Sequence, residues 1–285
     1  MDFQSIALPS ELRYLLQFKV YYFPIAGANI DAFLVYPKHF LKKMKSYIWT
    51  IKYLLMILTI DVGNTRIKSA VFENDKLLEL FIFSNAELRK IIFKILNKYP
   101  KIKVLVVASV GNVSIEAFSF LENKVKMEWI THDSPFPFEN KYETPATLGI
   151  DRMILSAGAV LQFPNQNRLV IDVGTCITYD FINDQNQYIG GAISLGLGLR
   201  YTALHNYTAK LPLLEMKYPD GYIGNTTEES LHSGVVNGLL FEIEGFLGDY
   251  EADYSKFTII LTGGDAVFLA KRLKNTIFAL SLIHI

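Results

Sequence analysis

An α/β protein with a duplicated mixed β-sheet and flanking helices is what the sequence predicts, on three observations. Short apolar runs end on an aspartate and then a glycine, as in Ile57-Leu58-Thr59-Ile60-Asp61 and Leu169-Val170-Ile171-Asp172. That is the pattern of a buried central strand running into a turn. Helical periodicity falls between such strands, with Leu88, Ile91, Ile92 and Ile95 at three-to-four spacing. Finally, Ile60-Asp61-Val62-Gly63-Asn64-Thr65 returns as Ile171-Asp172-Val173-Gly174-Thr175-Cys176. A repeated strand-and-turn unit implies a duplicated domain, hence two lobes facing each other across a cleft.

The elements follow in order. Met56 to Ile60 reads as a buried strand. Ala70-Val71-Phe72 and Lys76 to Ile82 alternate around Glu73-Asn74-Asp75, which predicts a β-hairpin. Asn85 to Asn97 reads as a helix capped by Asn85. Val104 to Ser109, Leu169 to Asp172 and Thr258 to Leu261 read as further buried strands, and Thr178 to Ile193 as a second hairpin-like stretch. Glu228 to Tyr250 reads as one long helix with small residues at Ser233, Gly234 and Gly238. The expected division is 56–165 for the first lobe and 166–285 for the second. Residues 1–55 are set apart as an N-terminal extension of unknown role. Two readings stand for them: an appendage, or a misassigned start with Met56 as the initiator.

Composition narrows the function. The 285 residues carry 28 Lys+Arg against 28 Asp+Glu, so the net charge is zero, and 51% are hydrophobic. There is ample material for a packed core, which excludes a disordered chain. Zero charge with no long basic run argues against nucleic acid as a partner. Lys52 splits the apolar stretch from Tyr47 to Ile60, which is too short to span a bilayer, so no membrane association is expected. Cys176 is the sole cysteine, so no intrachain disulfide or Cys-rich zinc site can form, and a reducing cytoplasm fits best. The five histidines (His39, His132, His205, His232, His284) show no metal-ligand spacing.

The turns carry the chemistry. A glycine after the strand lets backbone approach a phosphate closely, and the amide and hydroxyl of Asn64 and Thr65 can bond its oxygens. Asp61 can hold a divalent cation through water, and Lys68 adds a positive charge. A third strand runs into a glycine turn at Leu261-Thr262-Gly263-Gly264-Asp265, where a base and ribose could lie against backbone. Alone, each turn reads as an ordinary Asp-capped bend; three in this order go beyond that. Neither a P-loop nor a Gly-x-Ser-x-Gly elbow is present. In Tyr142-Glu143-Thr144-Pro145-Ala146-Thr147-Leu148-Gly149-Ile150-Asp151-Arg152 a carboxylate stands next to a guanidinium. By itself that pair is most simply a helix-start salt bridge. Beside phosphate turns, the acid can accept a hydroxyl proton and the arginine can bind an anion.

These turns resemble the phosphate-binding segments of the actin, Hsp70 and sugar-kinase superfamily. That resemblance implies two ribonuclease-H-like lobes around an ATP cleft. Met56 to about Ala279 is similar to type III pantothenate kinases, on Asp61 to Thr65, Gly149 to Arg152, Asp172 to Thr175, Gly190-Gly191-Ala192-Ile193, Gly224-Asn225-Thr226-Thr227 leading to Ser233-Gly234, and the Gly263-Gly264 turn. The resemblance implies ATP-dependent phosphorylation of pantothenate at the start of coenzyme A synthesis. It implies that Asp61, Val62, Gly63, Asn64, Thr65, Arg66, Ile67 and Lys68 wrap the ATP phosphates, with Asp61 holding magnesium through water and Thr175 touching ATP. Asp151 would be the general base. Tyr142, Gly149, Ile150, Asp151 and Arg152 would line the pantothenate site, with Thr227 reaching it from a partner subunit in a homodimer. Asp172 would bind a monovalent cation, potassium or ammonium.

Some features depart from the family. The 55-residue leader has no counterpart in it. Leu195 stands where proline is expected, which puts the rigidity of that loop in question. The chain reaches Ile285 where a closing helix is expected, so the second lobe is read as truncated. The rival readings are a sugar or small-alcohol kinase of the same superfamily and a non-catalytic transcriptional accessory protein. Retention of both Asp61 and Asp151 favours catalysis.

Overall fold

The computed structural model describes residues 56–279 apart from 64–65, 74–75, 112, 122–123, 255 and 274–277. The N-terminal extension, Asn64, Thr65, the tip of the first hairpin and the chain end after 279 therefore lie outside the described residues. The chain divides into two compact units. The first comprises residues 56–136 with Gly149–Ile154, and the second Pro137–Leu148 with residues 155–279.

In the first unit, β1 (Met56–Val62) lies between β2 (Ile67–Glu73), antiparallel, and β4 (Ile102–Ser109), parallel. β3 (Lys76–Phe83) flanks β2 and β5 (Lys126–Trp129) flanks β4, giving the order β3-β2-β1-β4-β5. Alternation decides what is buried. Leu58, Ile60 and Val62 point to one face, where they pack with Leu105, Val107 and the helix α1 (Leu88–Lys98) through Ile92 and Ile95. Each such fully buried side chain contributes about 1.5–3 kcal/mol before entropy is counted. The helix start differs from the sequence expectation. Ser84, not Asn85, is the cap residue, and Asn85–Glu87 form a single 3-10 turn. Glu87 reaches back to accept from the Ser84 backbone N–H at 3.1 Å and its hydroxyl at 2.8 Å, a capping-box pattern that outcompetes the neighbouring asparagine.

The chain passes through the short strand β6 (Glu139–Asn140) into the helix α2 (Ile150–Gln162). The second unit is then built on β7 (Asn167–Val173), paired antiparallel with β8 (Cys176–Ile182) and parallel with β10 (Phe257–Thr262). β9 (Gln187–Leu195) flanks β8, and β11 (Phe278–Ala279) flanks β10. The order is β11-β10-β7-β8-β9-β6. Read from β9 to β11 it repeats the first sheet strand for strand, with β7 in the place of β1. Both sheets are mixed and carry the ribonuclease-H-like order. Leu169, Ile171, Tyr179 and Phe181 form a core with the helix α3 (Leu197–Asn206) and with a long helical region that follows.

That region is not the single regular helix the spacing predicts. It runs as α4 (Thr227–His232), a π-helical stretch over Ser233–Asn237, and α5 (Gly238–Asp253). Leu239, Ile243 and Leu247 of α5 face the core. The short helix α6 (Ala266–Ala270) follows the Gly263-Gly264 turn.

Candidate active site

In the first unit the site begins at the end of β1. Register pairs Asp61 directly with Lys68 across β1 and β2. The turn between them is closed by the Gly63 N–H donating to the Arg66 carbonyl at 3.2 Å. The Val62 carbonyl accepts from the N–H groups of Val110 and Gly111, at 3.0 and 3.2 Å, tying this turn to the end of β4. Ile67 is buried and Arg66 exposed. Protein atoms crowd the Asp61 carboxylate although part of the residue remains accessible. Desolvation pushes its pKa up to about 6; Lys68 opposes the rise and the nearby Asp151 charge adds to it.

Asp151 lies in the first turn of α2, which Gly149 and Ile150 open. Its Oδ1 accepts the Arg152 backbone N–H at 2.8 Å. A side chain at Gly149 would strike that same oxygen, so only glycine leaves the carboxylate where it is. Arg152 is 5% exposed, with its guanidinium enclosed. Structure thus brings Asp61, Lys68 and Gly149 to Arg152 together in one unit, although they are far apart in sequence.

The second unit repeats the turn with altered chemistry. Asp172 of β7 faces Thr178 of β8, the position Lys68 holds opposite Asp61. The Thr178 hydroxyl donates to Asp180 at 2.9 Å. The Gly174 N–H donates to the Cys176 carbonyl at 3.0 Å, so this turn is one residue tighter than its first-unit counterpart. The Val173 carbonyl accepts the Asp265 N–H at 3.0 Å, as Val62 accepts from Val110 and Gly111. Gly263, with φ of 101°, makes that approach. Thr175 and Cys176 are exposed.

One contact was not legible in the sequence. The Gly196 N–H donates to the Thr175 carbonyl at 3.0 Å, and a side chain at 196 would overlap the carbonyls of both Gly174 and Thr175. Gly196 therefore supports the second Asp-x-Gly turn from the far end of β9. Arg200 holds this junction, its Nε donating to the Leu195 carbonyl at 2.8 Å and its guanidinium pairing with Glu242. Glu242 in turn accepts from Tyr179 at 3.0 Å and Ser194 at 3.1 Å. A loop without the expected proline is thus fixed by side chains instead.

Tyr142 and Thr227 also belong to the second unit. The Tyr142 ring meets Tyr188 edge-on at 6.0 Å and lies against Gly190. Thr227 lines a cavity of about 660 Å³ with Leu204, Leu211, Gly224, Thr226 and Ser230. Tyr142 does not line it.

Among the described residues no group of three or more His, Cys, Asp or Glu side chains could hold a metal ion. Magnesium does not need one, because it keeps most of its water and takes one or two carboxylates plus substrate phosphates. A crowded Asp61 whose charge burial and Asp151 both penalise fits such a cation. His232 is buried, with Nδ1 2.8 Å from the Tyr201 hydroxyl, in a packing role. No helix among the described residues is long and apolar enough to cross a membrane.

Two mixed sheets of matching strand order, each opening an Asp-x-Gly turn, define a duplicated α/β protein of the ribonuclease-H-like class. Residues 57–249 match the type III pantothenate kinase family, and the chain belongs to it. A relative from Flavobacterium johnsoniae with that name is 63% identical over 224 residues, covering 79% of this chain and 92% of the relative. Another from Flavobacterium psychrophilum is 62% identical, covering 79% and 93%. One from Bacteroides fragilis is 39% identical over 226 residues, covering 79% and 92%. Among solved structures, a putative Baf family transcriptional activator from Campylobacter jejuni superposes with a TM-score of 0.51 at 20% identity, covering 79% of this chain and 92% of that one. At that identity the likeness speaks for the fold alone.

Proposed function

We infer that the chain transfers the γ-phosphoryl group of ATP to the primary hydroxyl of pantothenate, the entry to coenzyme A synthesis. Family membership sets the reaction; the observation that carries it to these residues is the approach of Asp151 to Asp61 within one unit. The hydroxyl oxygen bonds to the γ-phosphorus as the bond to the β-phosphate oxygen breaks, and the Asp151 carboxylate takes the proton. A loose transition state asks chiefly for positioning and charge neutralisation, so Asp151 need only stand close.

Residues 61–68 hold the phosphates, and Thr175 contacts the nucleotide. When bound, magnesium would neutralise phosphate charge, with Asp61 holding it through water. Arg152 binds the pantothenate carboxylate beside Gly149 and Ile150, with Tyr142 and Thr227 completing the site. Asp172 takes a monovalent cation, a role supported by the neutral Thr178 opposite it where Asp61 has a lysine. Thr227 acts on the site of a partner subunit in a homodimer, and the enzyme works in the cytoplasm.

The test is a coupled ATPase assay on the purified chain, with and without pantothenate, in potassium and in sodium. Turnover should need pantothenate and should fall in sodium. Asp151→Asn should lower kcat by roughly 10²–10⁴-fold while its circular dichroism matches the parent. An Asp151→Asn enzyme running at the parent rate would remove Asp151 from the mechanism.

A further inference from the structure

The strongest unexplained feature lies beside the cavity, where the helical region meets the loop that precedes it. Successive side chains of that region bond to the loop's main-chain carbonyls. The Ser230 hydroxyl donates to the Gly224 carbonyl at 3.2 Å and the Ser233 hydroxyl to the Tyr222 carbonyl at 2.7 Å. The Asn237 amide donates to the Gly221 carbonyl at 3.0 Å and to the Ser233 oxygen at 3.1 Å. Ser233 and Asn237 are 8% and 9% exposed, so water competes little for these bonds. Both lie in the π-helical stretch, a geometry that recurs at functional positions.

We propose that Ser233 and Asn237 are positioning residues for pantothenate: they lock the loop carbonyls at 221 and 222 and so fix the Gly224–Thr227 wall of the cavity. The proposal rests on the reading that Thr227 belongs to the pantothenate site. The loop's main chain is tied at 221, 222 and 224, while the side chains of Tyr222 and Ile223 stay 78% and 74% exposed. Apolar burial therefore does not hold the 221–224 segment; the polar ladder does. Thr226 then caps α4 by accepting the Glu229 N–H at 3.1 Å, which hands the register of the ladder on to Thr227. None of these hydrogen bonds involves Asp172, Val173 or Gly174 of the second unit's turn, so nucleotide binding should not depend on them.

The test compares the parent with Ser233→Ala, Ser233→Thr and Asn237→Ala in steady-state kinetics and in amide hydrogen exchange over residues 220–227. Ser233→Ala and Asn237→Ala should raise KM for pantothenate about three- to tenfold, the worth of one hydrogen bond. KM for ATP and kcat should hold. Exchange in the loop should speed up, and Ser233→Thr, which keeps the hydroxyl, should restore both readouts. A variant that lowers the melting temperature yet leaves the pantothenate KM unchanged would overturn the proposal, as would equal rises in both KM values. If Asn237→Ala fails to fold, the Ser233 pair decides alone. A parent that consumes no ATP on adding pantothenate sinks the functional reading and the positioning role with it. An active parent with kinetically silent ladder variants sinks only the latter.

Discussion

Asp61 carries a stability cost set by its burial. Its pKa is about 6 in the folded chain against an ordinary value of 3.8. A carboxyl with a raised folded pKa binds more protons in the folded state than in the unfolded one. Its penalty is therefore absent below about pH 4, grows through the interval up to 6, and is complete above it, at about 3 kcal/mol. Asp61→Asn should accordingly raise unfolding stability at pH 7.5 by up to that amount while abolishing turnover, and should change stability little near pH 3.5. Urea titrations of magnesium-free protein at the two pH values measure this. An unchanged midpoint at pH 7.5 would mean the carboxylate is better solvated than its surroundings indicate. Asp61 and Asp151 were both legible as candidates because each ends or opens an element beside glycine. Their proximity was not, since no local pattern encodes which distant turns meet.

Among elements, the strands were read with their centres right and their ends short, because apolar runs mark buried positions and not the last backbone pairs. β1 extends to Val62 and β7 to Val173, and the two carbonyls that anchor the turns belong to these last residues. Two adjacent capping formers, Ser84 and Asn85, moved the helix cap by one. The π-helical stretch left no trace in the periodicity, since Val235 and Val236 still face the core while Ser233 and Asn237 on either side of them answer to a loop. Gly196 carries no local signal for a related reason: its partner is the Thr175 turn, remote in sequence. Gly196→Ala should therefore disturb the Gly174–Thr175 carbonyls. A loss of roughly 1–3 kcal/mol in stability and a raised KM for ATP are expected, read by thermal melting and kinetics. Gly198→Ala, with open space at its Cβ, is the control. Glu242→Gln should cost a further loss of about 1–3 kcal/mol by leaving Arg200 without its carboxylate.

For the whole molecule, the duplication organises what each half contributes. One sheet pairs its turn aspartate with lysine and the other with threonine, so the same fold element carries two different electrostatic settings. If Thr227 serves the site of a partner subunit, subunits inactivated in different ways should complement. Asp151→Asn and Thr227→Ala proteins, each nearly inactive alone, should recover roughly a quarter of parent activity after mixing and subunit exchange, since half the dimers then carry one intact site. A mixture as inactive as its components would place Thr227 in its own subunit's site or outside the reaction altogether.

Cys176 gives this enzyme a built-in reporter. It is the chain's one thiol, exposed, and next to Thr175. A chromogenic disulfide reagent would therefore label each unmodified polypeptide at a single known address, with no engineered variant and no background signal. Added ATP should slow that labelling in proportion to occupancy, turning a simple absorbance trace into a nucleotide titration.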